Sequence, residues 1–195
     1  YQYDNQGRLV LRRDPEIAGV TRTTGYVFDA GGRLTQQNVA ATGETTQTTD
    51  YVYDNLDRQV QVVSPAVEGG RPTTSTLFDI IGRPIESEDA LDRLTATQFD
   101  DQDRPTQVTL PELSGQATAL VGYDYDPLNR TTGVTNPRGF TTNADYDAYG
   151  RATQIFAPAT SHVDPNTGIA TVSRATFGSV YDILGRNTSQ TDPLG

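Results

Sequence analysis

The sequence predicts an all-β protein, an array of antiparallel β-hairpin repeats forming a curved, twisted sheet, and three observations carry that prediction. A Tyr/Phe-Asp pair with Arg four residues after the Asp recurs eight times along the 195 residues. The third residue after each Asp is only ever Gly, Asp or Asn, and the fourth is always Arg. Before several of these Asp residues aromatic pairs, Tyr1/Tyr3, Tyr26/Phe28 and Tyr51/Tyr53, occupy alternate positions, the period of a strand.

The repeat is anchored on Asp4, Asp29, Asp54, Asp79, Asp100, Asp126, Asp147 and Asp182. The residue before each is aromatic: Tyr3, Phe28, Tyr53, Phe78, Phe99, Tyr125, Tyr146 and Tyr181. Three after come Gly7, Gly32, Asp57, Gly82, Asp103, Asn129, Gly150 and Gly185; four after come Arg8, Arg33, Arg58, Arg83, Arg104, Arg130, Arg151 and Arg186. Gly, Asn and Asp are the residues that enter the left-handed backbone region at least cost. Their spacing from the Asp fits a type I turn closed by a left-handed residue, the three-residue hairpin loop with a G1 bulge. Each motif is therefore a hairpin tip. Across such a tip the Asp and the Arg can form an ion pair worth about 0.2–1 kcal/mol; alternatively the Arg lies over the ring of a neighbouring repeat. Eight identical pairs read as scaffolding rather than catalysis.

Behind each tip, the sixth residue after the Asp is β-branched: Val10, Thr35, Val60, Ile85, Thr106, Thr132, Thr153 and Thr188, which favours strand. Eleven residues after the Asp stand Pro15, Ala40, Pro65, Ala90, Pro111, Pro137, Pro158 and Pro193, several in turn-like strings such as SPAV, NPRG and DPLG. These mark rear turns. The tip-to-rear half has constant length, and all length variation falls at the rear turn or in the returning strand, since loops absorb insertions and strand registers do not. The longest return, residues 159–178, predicts a longer loop or an extra hairpin. It holds the only histidine, His162, which has no neighbouring Cys or second His to make a metal site. Eight two-stranded units predict about sixteen strands, roughly 75 Å of sheet, and such a length should curl.

Composition narrows the functional classes. A hydrophobic fraction of 34% is thin for a compact core and suits an open or hollow sheet. Net charge is −10, and every basic residue is Arg; this argues against nucleic acid and against an anionic membrane surface as partners. The absence of Cys excludes disulfides and thiolate metal ligands. No apolar run reaches the roughly 20 residues of a membrane span. The chain begins in mid-motif without Met, so we expect a single repeat array, residues 1–195, that is part of a larger protein.

The eight Tyr/Phe-Asp units, the Gly-Arg that follows them and the DPLG-type rear turns resemble the RHS/YD-repeat family, and the resemblance spans the whole chain. Asp57, Asp103 and Asn129 in place of Gly, and Phe in place of Tyr in three copies, are mild departures. The resemblance implies a long β-ribbon spiralling into a hollow shell. In bacterial polymorphic toxins and insecticidal toxin complexes that shell encloses a C-terminal toxic domain; in animal teneurins a related shell supports adhesion. It further implies a secreted or surface-delivered bacterial protein whose partners are its own remaining repeats and its C-terminal cargo. Bacterial members carry a segment after the repeats where aspartates cut the chain; the closing TDPLG shares its DPxG core, but Asp192 sits at the rear-turn position and reads as a turn residue.

Three functional classes follow. The first is a non-catalytic wall segment, since no phosphate-cradling loop, zinc site or nucleophile elbow is present and no catalytic, metal or cofactor-binding residue is expected. The second is a module binding a glycan or cell-surface receptor through exposed Tyr and Arg. The third, a glycosidase, needs two of the 25 acidic residues about 5–10 Å apart in a cleft, and acids spread evenly over repeat tips do not favour it. A polar inner wall, supplied by Thr, Gln and Asn, is expected if the shell must not grip an unfolded cargo.

Overall fold

The computed structural model describes residues 1–112 and 118–193 and contains β-strands but no helix. The chain divides into two compact units, Tyr1–Thr95 and Ala96–Gly195. The first holds β1 (Gln2–Tyr3), β2 (Leu9–Arg13), β3 (Arg22–Phe28), β4 (Leu34–Ala41), β5 (Gln47–Tyr53), β6 (Gln59–Val63), β7 (Thr73–Phe78) and β8 (Pro84–Glu88). Strand β9 (Leu94–Phe99) crosses the boundary. The second holds β10 (Pro105–Thr109), β11 (Leu120–Tyr125), β12 (Thr131–Thr135), β13 (Thr141–Tyr146), β14 (Ala152–Phe156), β15 (Thr160–Val163), β16 (Ala170–Ser173), β17 (Thr176–Tyr181) and β18 (Asn187–Thr191).

Sheet neighbours follow chain order throughout, in one sheet of sixteen strands that omits only β15 and β16. Every pairing is antiparallel, as hairpin connections require. The predicted fold class is therefore observed. β15 and β16 form a two-stranded hairpin of their own, so the long return at 159–178 is an extra hairpin, with His162 exposed on β15 opposite Thr171.

The tips have the expected backbone. Asp29 illustrates all of them: its N–H donates to the Arg33 carbonyl at 3.0 Å, and Gly32 N–H donates back to the Asp29 carbonyl at 3.0 Å. Gly32 has φ +86°, and the non-glycine substitutes Asp57, Asp103 and Asn129 sit at +63°, +62° and +65°. Just behind the tip the register slips: Phe28 pairs with Leu34, but Val27 pairs with Gln36. Thr35 is thus an extra, bulged residue, and its hydroxyl donates to the Val27 carbonyl at 3.2 Å. Thr106, Thr153 and Thr188 do the same for Gln98, Asp145 and Val180. The β-branched residue six after each Asp is therefore where the bulge lies, and a Thr there satisfies a carbonyl that the broken ladder leaves over.

At the rear, two turns repeat the tip chemistry. Asp89–Arg93 and Asn136–Phe140 close with the same pair of backbone bonds, and Asp92 and Gly139 are their left-handed residues. Longer rear connections differ from one another. Ile17–Val20 and Val67–Gly70 are miniature hairpins. One expectation is corrected: Ala40 is no turn residue but lies within β4, paired with Thr23. The turn comes slightly later, with Glu44 N–H bonded to the Ala41 carbonyl and Gly43 at φ +83° supplying the reversal. The closing TDPLG turn ends on residues 194–195, outside the described residues.

Among the described residues no apolar or polar side chain is buried. A one-layer sheet has nothing packed on either face, so lateral contacts between consecutive hairpins must supply the stability.

Candidate functional site: the tip ladder

Each tip Asp is saturated with donors. In the third repeat Asp54 Oδ1 accepts the backbone N–H of Leu56 (2.8 Å) and Arg58 (3.0 Å), while Oδ2 accepts Arg58 Nε at 2.7 Å. The same triad occurs at Asp4, Asp79, Asp126, Asp147 and Asp182. Asp89, in a rear turn, repeats it with Leu91 and Arg93.

These contacts hold the carboxyls ionised. The backbone N–H of the paired Arg is the first cause of the lowered pKa at Asp4, Asp29, Asp147 and Asp182. The Arg side chain is the first cause at Asp89 and Asp100. At Asp54, Asp79 and Asp126 partial burial pushes upward most strongly, but the hydrogen bonds together outweigh it and the pKa still falls.

The sequence left open whether each Arg pairs with its Asp or covers a neighbouring ring. It does both. Nε holds the Asp, while the guanidinium plane reaches forward over the aromatic residue of the next tip: Arg8 over Phe28 at 4.7 Å, Arg33 over Tyr53 at 5.1 Å, Arg58 over Phe78 at 4.7 Å, Arg104 over Tyr125 at 4.5 Å, Arg130 over Tyr146 at 4.9 Å and Arg151 over Tyr181 at 4.7 Å. Nη1 then donates to the carbonyl of the next tip Asp, as from Arg130 to Asp147 at 2.7 Å and from Arg151 to Asp182 at 3.1 Å. The planar fork of Arg makes all three contacts at once, which the point charge of Lys cannot do.

The ring returns the contact where it is Tyr. Tyr53, Tyr125, Tyr146 and Tyr181 donate their hydroxyls to the carbonyls of Leu34, Pro105, Thr131 and Ala152, each the residue after the Arg that covers the ring. Asp57 and Asn129 are also accounted for: their side-chain oxygens accept Nη1 of Arg33 (2.6 Å) and Arg104 (2.9 Å), the arginines of the preceding tips. Arg8 is the exception: its Nη1, beside Gly32, is buried without a hydrogen-bond partner, whereas Arg58, Arg130 and Arg151, beside Gly82, Gly150 and Gly185, still bond the next Asp carbonyl.

Two rear arginines escaped the sequence reading. Arg71 donates to the carbonyls of Ser64, Val63 and Thr48 and to Asp50 Oδ2 at 2.6 Å. Arg174 reproduces the set in the second unit with Ala157, Phe156, Thr141 and Asn143 Oδ1 at 2.8 Å. Each ties three consecutive sheet strands together where the rear connection is long. Their signal is an Arg eight before an Asp, combined with an acid or amide four before the previous one. Asp50 also accepts Gln36, which begins a chain through Asn38 to Thr48 on the face opposite the Tyr53 ring. That face is mixed rather than uniformly polar, because Val27, Val52 and Leu77 stand exposed on it.

Among the described residues no group of three or more His, Cys, Asp or Glu could hold a metal, and no helix is long and apolar enough to cross a membrane.

No family model and no curated protein matches the chain. Solved structures do share its fold. The crystal structure of TcdB2-TccC3-Cdc42 matches 98% of the chain at 15% identity with a TM-score of 0.63. The crystal structure of TcdB2-TccC3 without its hypervariable C-terminal region matches 98% at 15% identity with a TM-score of 0.62. A structure of the Photorhabdus luminescens Tc holotoxin pore matches 89% at 18% identity with a TM-score of 0.59. The chain spans only 11%, 11% and 9% of those chains, about a tenth of their length.

Proposed function

We propose that residues 1–195 are a non-catalytic wall segment of an RHS/YD-repeat shell that encloses a C-terminal toxin domain, in a secreted or surface-delivered bacterial protein. The observation that carries this reading is the occupation of the tip chemistry. The carboxylates and guanidiniums that recur in every repeat are spent on one another and on the next tip. An Asp that already accepts three hydrogen bonds and is held ionised serves poorly as a general acid, and an Arg stacked on a ring serves poorly as a ligand clamp. The fold shared with toxin-complex chains supports the wall reading, and the absence of buried side chains among the described residues suits a sheet whose role is to enclose space.

The test uses a parent protein that carries this stretch together with its C-terminal domain. Limited proteolysis should leave that domain intact when the array is native, and should degrade it when Arg58 and Arg130 are both replaced by Ala. A C-terminal domain digested equally fast in both proteins would refute enclosure.

A further inference from the structure

The joints between neighbouring hairpins of the first unit are not equal. Its first three hairpins are β1–β2, β3–β4 and β5–β6, and between the second and third the ladder is complete. Arg33 lies over Tyr53 at 5.1 Å, its Nη1 donates to the Asp54 carbonyl at 3.3 Å and to Asp57 Oδ1 at 2.6 Å, and the Tyr53 hydroxyl donates back to the Leu34 carbonyl at 2.8 Å. Behind the tip, Gln36 donates to Asp50, Thr48 to Asn38 and Tyr51 to Gln37, at 2.7, 2.7 and 3.2 Å. All of these bonds join the second hairpin to the third.

Between the first and second hairpins most of that set is missing. Arg8 still lies over Phe28 at 4.7 Å. Phe28 has no hydroxyl to return the contact, Gly32 has no side-chain oxygen to take Nη1, and Nη1 is buried without a partner. Among the described residues no side-chain hydrogen bond crosses from β2 to β3. Those strands are held by the pairing of Leu11 with Gly25, Arg12 with Thr24 and Arg13 with Thr23, and by the Asp14 N–H on the Arg22 carbonyl at 2.9 Å. A buried donor left without an acceptor works against the closed state. The joint between the third and fourth hairpins also has a Phe and a Gly, Phe78 and Gly82. There, however, Arg58 Nη1 keeps the Asp79 carbonyl at 3.3 Å, and at the rear Arg71 adds the Val63 carbonyl at 3.2 Å. The first joint has neither bond.

We propose that the β2–β3 joint is a release seam, where the ribbon parts locally while β3–β6 stay closed as one sheet. Repeat arrays are held by nearest-neighbour contacts, so the weakest joint sets where opening begins. Opening bares the β3 edge, whose unpaired N–H and carbonyl groups draw the first hairpin back, so the event is reversible. The seam follows from the ladder alone and holds whether or not a cargo is enclosed.

Native-state amide exchange, read residue by residue by NMR on the whole chain, tests this. The Asp14 N–H should exchange about tenfold faster than the N–H groups that pair β4 with β5. The closing variant, Phe28→Tyr with Gly32→Asn, supplies a hydroxyl for the Leu9 carbonyl and an oxygen for Arg8 Nη1, as Tyr125 and Asn129 do for Pro105 and Arg104. An added Cβ at Gly32 meets only that Nη1, at 3.3 Å, the end of a side chain that can shift. This variant should slow Asp14 exchange about tenfold and leave β4–β5 unchanged. The opening variant, Tyr53→Phe with Asp57→Gly, should speed β4–β5 exchange about tenfold. Circular dichroism establishes that each folds, and the two are read independently, so either alone decides. Asp14 exchange as slow as that of β4–β5 in the unaltered chain would mean that no seam exists. Fast Asp14 exchange that the closing variant does not slow would mean simple fraying of the chain end. A β4–β5 joint indifferent to the opening variant would mean that these side chains do not set joint strength; each of the three overturns the proposal.

Discussion

Tip and rear edges of the same hairpins obey different rules. At the tips, five residues from Asp to Arg keep one length, one backbone path and one hydrogen-bond set in both units. At the rear, the connection is a five-residue turn at Asp89–Arg93, a miniature hairpin at Ile17–Val20 and a separate two-stranded sheet between β14 and β17. The difference lies in what each edge must do. A tip has to place an Asp, a ring and a forward-reaching Arg within hydrogen-bonding distance of the next tip, and one inserted residue would break all three. A rear turn has only to return the strand in register, and where it is long an Arg such as Arg71 or Arg174 restores the tie.

Acid should have the largest effect, and it should strike the tips hardest, because every tip carries a hydrogen-bonded carboxyl whereas only some rear connections do, as at Asp89. The tip carboxyls titrate below their ordinary range in the folded chain. Their contribution is therefore complete above the ordinary carboxylate pKa near 4 and disappears as pH falls through the lowered folded values. Circular dichroism should show stability that is flat from neutral pH to about 5 and collapses cooperatively only below about 4. Loss beginning near pH 6 would indicate that other groups govern.

Next in size is removal of one forward reach. Arg130→Ala deletes the bond to Asp126, the cover over Tyr146 and the bond to the Asp147 carbonyl, and should cost about 2–3 kcal/mol in denaturant unfolding. Gly150→Val should cost about 1–3 kcal/mol, because φ there is +83°. Nothing lies within 4 Å of the added Cβ, so backbone strain alone is measured. Asp101→Val, one residue into its own turn, should stay within about 0.5 kcal/mol. Equal effects from Gly150→Val and Asp101→Val would contradict the assignment of the turn positions.

Smaller effects sharpen the contrast. Phe78→Tyr should gain about 0.5–1.5 kcal/mol by donating to the Gln59 carbonyl, as Tyr53 donates to Leu34; no gain would show that the return contact is incidental. At the rear, two glycines inserted between Gly69 and Gly70 should cost no more than about 0.6 kcal/mol. A larger loss would mean that the rear connection is as strict as the tip.

The tip backbone was legible in the sequence because its requirement is local. Only Gly, Asp and Asn at the position of Gly32, Asp57 and Asn129 signals a left-handed residue, whatever surrounds it. The ring cover was legible only as an alternative, since the partners Arg58 and Phe78 lie twenty residues apart in sequence and no local rule ranks ion pair against stacking. That both occur follows from the geometry of the guanidinium. Ala40 misled because β4 runs to Ala41 and Gly43, not a Pro, marks the reversal. Arg71 and Arg174 were hidden because rear connections of different length place them at different distances from the preceding tip.

The ladder also has a direction. The tip arginines Arg8, Arg33, Arg58, Arg104, Arg130 and Arg151 each reach toward the ring of the following tip, so a hairpin leaving the ribosome already carries the guanidinium that its successor will meet. A chain built this way can be completed in the order of its synthesis, each new hairpin closing a contact prepared by the one before it rather than waiting for a distant partner.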